Sequence, residues 1–231
     1  MEQRYDIFLM DADDTLFDYR AAEGNALNAL FDDFRYPYSP QVHELYHQIN
    51  DALWKEFERG NAEKKSLWTL RFDRLLAALG LAGDSCELNR VYLNHLGEQA
   101  VLLPGAEAVC AHLAGHVKLY ITTNGIACVQ RPRLERSGIQ QYFSGLFISE
   151  EIGFPKPDPR YFSAVLHAIG NPDPARVLVV GDSLSSDIAG GIRSGLDTCW
   201  YNPSQTPCPP EVKPVYEISE LKQLLSIKNN T

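Results

Sequence analysis

Cysteine is scarce in this chain. Its 231 residues include five, Cys86, Cys110, Cys128, Cys199 and Cys208. The odd count, the wide spacing and the lack of any Cys-x-x-Cys argue against a disulfide framework or a zinc site and fit a reducing compartment. Positive charge is also in deficit, with 21 lysines and arginines against 30 acids and a net charge of -9. That balance disfavours binding to nucleic-acid polymers or anionic membranes, yet leaves room for a small anion in a locally positive pocket. No apolar run reaches membrane-spanning length. The start shows no signal-peptide pattern, because Asp6 interrupts a short apolar run and Asp11 ends it. Internal repeats and low-complexity segments are absent. These absences predict a soluble, cytoplasmic protein; a monomer or homodimer is expected, with no residue pattern choosing between the two. With 45% hydrophobic residues the chain can bury a sizeable core, as one large domain or two small ones.

The most informative stretch is Tyr5-Asp6-Ile7-Phe8-Leu9-Met10-Asp11-Ala12-Asp13-Asp14-Thr15-Leu16. Ile7 to Met10 is a continuous apolar run, suited to a strand buried on both faces of a parallel sheet. It stops at three carboxylates, with Asp11 and Asp13 two apart at the strand's carboxyl end, where ligands of open α/β sheets bind. Acids packed this closely repel one another. A divalent cation held by oxygen balances them, and Mg²⁺ needs only one or two carboxylates plus water and phosphate oxygens.

Roughly residues 20 to 98 then read as helices. Leu27, Leu30, Phe31 and Phe34 follow helical spacing. Ser39-Pro40 predicts an N-cap and first turn, and Gly60 a stop. A third helix is expected from Ser66 to Gly80, and Asp84-Ser85-Cys86-Glu87 has capping-box spacing before a stripe of Leu88, Val91, Tyr92 and Leu96. Lys55, Lys64 and Lys65 lie in polar surroundings that suggest solvated surface. The aromatics Trp54, Phe57, Trp68 and Phe72, with Phe17 at the entrance, are expected mostly in the helical core.

Beyond Pro104-Gly105 the pattern changes to strands alternating with helices. A helix over 106–114 precedes a strand over 117–122. A helix to Ser137 has Pro132 inside it, which predicts a kink or a late start. Strands follow at 146–148, 176–180 and 198–201, with a helix capped by Asp158-Pro159 and a glycine-rich helix over 186–194. Residues 204–214, with four prolines, read as an irregular loop, 219–227 as a short helix, and the last few residues as frayed. Alternation of this kind means βαβ units. The fold class is therefore α/β, a Rossmann-like parallel core of residues 1–18 and 100–231 with an all-helical cap of 19–99 inserted.

Four strand ends gather chemistry: Asp11 and Asp13; Thr123 and Asn124; Lys156 in Gly153-Phe154-Pro155-Lys156-Pro157; and Gly181-Asp182-Ser183 with Asp187 beyond. A parallel sheet places all its strand carboxyl ends on one edge, so these can converge. Each alone has a bland reading, a turn, a solvated lysine or a helix cap. Together they suit phosphoryl transfer: carboxylates for a metal, a hydroxyl and backbone N–H groups for phosphate oxygens, and a lysine where negative charge develops. An aspartate can also act as a covalent nucleophile through an aspartyl-phosphate.

The set resembles the haloacid dehalogenase (HAD) superfamily over nearly the whole chain. Its four motifs are matched by Asp11-Ala12-Asp13-Asp14-Thr15, Thr123-Asn124, Lys156-Pro157 and Gly181-Asp182 with Asp187. The stretches DADDTLFDY, ITTNG, RLERSGI, FISEEIGFPKPDP and GDSLSSDIAGGIRSGLDTCWYN are similar to the pyrimidine 5′-nucleotidase, house-cleaning branch. The resemblance implies Asp11 as nucleophile and metal ligand. It implies Asp13 as general acid/base with its carbonyl on the metal, and Thr123 and Asn124 as phosphate-binding. Lys156 pairs with nucleophile and phosphate, Asp182 is a direct metal ligand, and Asp187 a more distant or water-mediated one. It also implies Mg²⁺, with Mn²⁺ or Co²⁺ as substitutes, and a small phosphate monoester as substrate, (deoxy)nucleoside 5′-monophosphates first. Sugar-phosphate hydrolysis or a mutase reaction is an alternative within the superfamily. A phosphate-binding regulatory module on the same scaffold is one outside enzymology, although no charged residue of the site is missing.

Overall fold

The computed structural model describes residues 4–227, Glu58 by its main chain alone. The frayed end expected at the C-terminus lies outside these residues. The chain divides into two compact units, one of Met1–Asp18, Leu102–Ala127 and Leu134–Thr231, the other of Tyr19–Val101 and Cys128–Arg133.

The first unit is built on a six-stranded parallel sheet. Its strands are β1 (Ile7–Met10), β2 (Lys118–Thr123), β3 (Phe143–Ile148), β4 (Val177–Gly181), β5 (Asp197–Tyr201) and β6 (Tyr216–Ile218), in the order β3-β2-β1-β4-β5-β6. β1 sits between β2 and β4, and both sheet faces are covered. Phe8 and Met10 pack in one layer with Leu119, Ile121, Leu178, Val180, Val109 and Leu113. Ile7 and Leu9 pack in the other with Val177, Val179, Tyr161 and Phe162. Alternate residues facing two apolar layers explain why Ile7–Met10 is hydrophobic without a break. From β1 the later strands spread to either side, so the sheet reverses its winding between β1 and β4. Crevices at such switch points, outside the strand carboxyl ends, are where α/β folds bind ligands.

The second unit is helical: α1 (Tyr19–Asp33), α2 (Pro40–Glu58), α3 (Lys64–Leu79) and α4 (Ser85–Gly97). Ser39 and Asp84 cap α2 and α4 as expected, Ser39 Oγ accepting from Val42 N and Asp84 from Cys86 N and Glu87 N. α3 starts two residues before Ser66, whose hydroxyl donates back to the Glu63 carbonyl at 2.7 Å. Phe17 and Phe72 are buried, while Trp54, Phe57 and Trp68 are half-buried.

The other helices are α5 (Ala106–Ala114), α6 (Ala127–Arg136), α7 (Ser149–Ile152), α8 (Pro159–Ala168), α9 (Ala189–Arg193) and α10 (Leu224–Ile227). α6 does not start late: it begins at Ala127 and runs through Pro132. The glycine-rich helix expected over 186–194 is instead a π turn over Leu184–Ile188 followed by the short α9. β6 follows the proline-rich loop and carries no sequence signal beyond three residues. Among the described residues no helix is long and apolar enough to cross a membrane.

Candidate active site

The site forms at the carboxyl ends of β1, β2 and β4. Asp11 continues β1 by one residue, its N–H donating to the Val180 carbonyl at 2.8 Å, which holds it beside the end of β4. Asp182 follows the last residue of β4, and Asp187 lies in the π turn after it. One carboxylate oxygen from each of Asp11, Asp182 and Asp187 comes within 4.8 Å of the others. Asp11 and Asp187 are buried and Asp182 is half-buried. Gly181 makes the approach of Asp187 possible, because a Cβ there would stand 2.3 Å from the Asp187 Cγ.

Lys156 enters this group on the loop before α8. It is 1% exposed, and its Nζ donates to Asp11 Oδ1 at 2.6 Å, Asp187 Oδ1 at 2.6 Å and the Thr122 carbonyl at 2.8 Å. Three acceptors match the three protons of an ammonium. Asn124, at the end of β2, fixes the lysine's main chain: its Nδ2 donates to the Lys156 carbonyl at 2.8 Å and its Oδ1 accepts from the Lys156 N–H at 2.9 Å. Thr123 is buried, and its Oγ1 accepts from Gly125 N at 2.9 Å. Asp13 lies half-buried two residues beyond Asp11, and its carboxylate is not part of the three-acid group. The loop carrying it is turned by Asp14, which has φ 58°.

The electrostatics are unbalanced. One buried ammonium pairs with two of three close carboxylates. Burial, reinforced by the charges of Asp187 and Asp13 and opposed by Lys156, pushes Asp11 up to about 8. Burial, with Asp11 and Asp187, raises Asp182 well above the carboxylate range. Burial alone would lower Lys156; the adjacent Asp11 and Asp187 outweigh it and raise it, so it stays protonated. An all-oxygen donor set with surplus negative charge fits a hard divalent cation.

Sequence reasoning brought Asp11, Asp182, Asp187 and Lys156 to one place. It did not find the carbonyl of Thr122, nor the link from Thr15, whose Oγ1 donates to Asp182 Oδ1 at 3.2 Å and accepts from Asp182 N at 3.1 Å. It also missed Trp200, whose Nε1 donates to the Asp182 carbonyl at 2.8 Å. Thr15 stands in the first acidic stretch and was readable as a loop former; Trp200 gave no signal, because its reach depends on the pairing of β5 with β4.

A buried carboxylate bonded to a buried lysine, at the switch point of a parallel sheet with a helical insert after its first strand, defines a class of hydrolase. The family model for haloacid dehalogenase-like hydrolases matches residues 5–195, and the chain belongs to that family of enzymes. Among its relatives, the HAD-hydrolase YfnB of Bacillus subtilis is 40% identical over 98% of this chain and 97% of its own. The pyrimidine 5′-nucleotidase YjjG of Escherichia coli is 36% identical over 96% of both chains. The pyrimidine 5′-nucleotidase PynA of Streptococcus pneumoniae is 35% identical over 96% of this chain and 94% of its own. A crystal structure of YfnB bound to magnesium superposes with a TM-score of 0.94 at 39% identity, covering 99% of this chain and 100% of that one.

Proposed function

We propose that this enzyme is a Mg²⁺-dependent phosphomonoester hydrolase that works through an aspartyl-phosphate on Asp11 and acts on nucleoside 5′-monophosphates, pyrimidine and deoxy forms first. The observation that carries the chemistry is the Lys156 ammonium bridging Asp11 and Asp187 at 2.6 Å, inside a carboxylate group still short of positive charge. The substrate class is supported by two relatives named as pyrimidine 5′-nucleotidases that align over 94% or more of their length.

Asp11, Asp182 and Asp187, with the Asp13 carbonyl, would hold the cation; Mn²⁺ or Co²⁺ are expected to substitute. When bound, it supplies charge neutralisation for the phosphoryl group and keeps Asp11 ionised. Asp11 attacks phosphorus and forms the acyl phosphate while the substrate's ester oxygen leaves. Asp13 protonates that oxygen, then takes a proton from the water that hydrolyses the intermediate. Lys156 and Thr123 bind phosphoryl oxygens. Asn124, clasped to the main chain of Lys156, holds the lysine in register. The choice of leaving group we assign to the helical insert, residues 19–99, whose half-buried aromatic rings suit stacking on a base.

The test is kcat/KM for dUMP, dTMP, a purine monophosphate and a hexose phosphate, in Mg²⁺ and after exhaustive chelation. The pyrimidine monophosphates are expected to lead, with no turnover after chelation. A hexose phosphate ahead by tenfold would remove the nucleotidase assignment and leave the phosphatase; full activity after chelation would remove the metal.

A further inference from the structure

Asp182 is held differently from the other two clustered acids, its carboxylate accepting from Thr15 Oγ1 at 3.2 Å and not from Lys156. Asp11 is tied into the sheet by its N–H, and Asp187 is locked by Lys156 Nζ and by Ser183 N at 3.3 Å. Asp182 stands just past the end of β4 and before the π turn, in neither element. It receives no bond from Lys156 Nζ, which spends its protons on Asp11, Asp187 and Thr122. Its main chain is held by side chains from the loop after β1 and from β5. Thr15, after β1, accepts the Asp182 N–H at 3.1 Å, and Trp200, on β5, donates its indole N–H to the Asp182 carbonyl at 2.8 Å.

We infer that Trp200 is a positioning residue for the metal-binding arm of Asp182. It touches neither the acid's carboxylate nor, on the reading above, any substrate atom. In the register of the sheet Trp200 pairs with Gly181, the residue before Asp182. The indole is 3% exposed, so its ring is fixed by packing and its N–H reaches one acceptor from a rigid strand. A bond to the main-chain carbonyl sets the peptide plane after Asp182, and with Thr15 on the N–H side it limits rotation on both flanks. Preorganisation of this kind matters for a carboxylate that stands between two elements and receives no bond from the buried lysine. Groups that orient metal ligands from outside the coordination sphere typically contribute about 10–100-fold to metal affinity. The effect belongs to metal binding and not to the chemical step.

The inference rests on the reading of the acid cluster as a divalent-cation site, and the experiment separates the two. Calorimetric titration of Mg²⁺ into metal-free protein is compared for the wild type, Trp200→Phe, and a protein with benzothienylalanine at position 200, which keeps the bicyclic shape and replaces the N–H with sulfur. Both altered proteins are expected to bind Mg²⁺ about 10-fold more weakly, and their kcat is expected to return to near the wild-type value at saturating Mg²⁺. The isosteric replacement separates the lost hydrogen bond from lost packing. If it binds Mg²⁺ within twofold of wild type, or if its kcat stays low at saturating Mg²⁺ with unchanged affinity, the positioning role is wrong and Trp200 is a packing residue. Wild-type protein that takes up no Mg²⁺ would overturn the cation reading itself, and this inference with it.

Discussion

The strand-end cluster of the α/β unit and the polar core of the helical unit bury charge in opposite ways. In the first, three carboxylates cluster and one lysine pairs with two of them, Asp11 and Asp187. In the second, the fully buried Glu23 of α1 accepts from His47 Nδ1 at 2.8 Å and from Asn50 Nδ2 at 3.0 Å, both on α2. His43 Nε2 lies 3.3 Å from the same carboxylate but off the hydrogen-bonding direction. Arg71, on α3, is matched to Asn50 and to Asn89 of α4, and its guanidinium lies over the Tyr92 ring, 4.9 Å from the centroid. Glu23 and Arg71, with His47 and the amides and rings between them, thus link all four helices. The helical core sets its buried charges among side-chain partners from its own helices, whereas the strand-end cluster holds more carboxylates than its one lysine can balance. Buried charge that the fold satisfies specifies packing; buried charge that it leaves unsatisfied marks a site.

The comparison breaks most visibly if the two regions are altered in turn. Asp11→Asn is expected to lower kcat by on the order of 10⁴–10⁶-fold, since an amide cannot attack phosphorus, while leaving the fold intact. Steady-state kinetics beside a circular-dichroism melt check both halves; residual turnover within a hundredfold of wild type would mean that another group is the nucleophile. In the helical core the order reverses. Glu23→Leu leaves Asn50 and His47 without their acceptor and Arg71 without a balancing charge, and should cost about 3–5 kcal/mol. Urea unfolding measures it, and a loss under about 1 kcal/mol would show that the network is not a stabilising unit.

A subtler contrast concerns the sign. Asp182→Asn removes one of the surplus charges and keeps an oxygen for Thr15 to bond. Metal-free protein should therefore melt higher, by roughly 2–4 °C for each kcal/mol gained, and the increment that Mg²⁺ gives the wild type should shrink. A lower melting point for the metal-free variant would place Asp182 with the satisfied charges instead.

The smallest effect is a pH slope. The hydrogen bond that His47 donates to Glu23 raises His47, against a partial opposing effect of burial. The folded state then holds that proton more tightly than the unfolded one, so the stabilisation is complete below about pH 6.5 and is lost as pH rises through the raised value. Melting temperatures of metal-free protein across pH 5.5–8.5 should converge for wild type and His47→Asn at the alkaline end and separate at the acid end. Parallel curves would remove His47 from the account.

Much of the α/β unit was legible because its signals are local. Ile7–Met10 reads as a strand covered on both faces, and each motif follows a strand, so one edge of a parallel sheet had to gather Asp11, Asp182, Asp187 and Lys156. The exceptions depend on contacts distant in sequence. The π turn after β4 takes its shape from the bonding of Ser183 with Asp187 and Ile188 around a glycine that admits the acid, none of which is periodic in sequence. β6 has three residues and pairs only at the sheet's edge. Arg71 and Glu23 carry charges that by composition belong on a helix's solvent face, and only the packing of four helices shows them as core. Trp200 looked like an ordinary apolar strand residue, and its N–H acquires a purpose only once β5 lies beside β4.

The central claim is that the surplus negative charge at the strand ends supports covalent phosphoryl transfer to Asp11. Rapid acid quenching of the enzyme during turnover of a phosphate-labelled nucleoside monophosphate in Mg²⁺, followed by peptide mapping, tests it most directly. The expected result is acid-stable, hydroxylamine-sensitive label on the peptide containing Asp11, absent in Asp11→Asn and never on Asp13. Label on Asp13 or on a serine, or turnover with no labelled protein at any quench time, would contradict it.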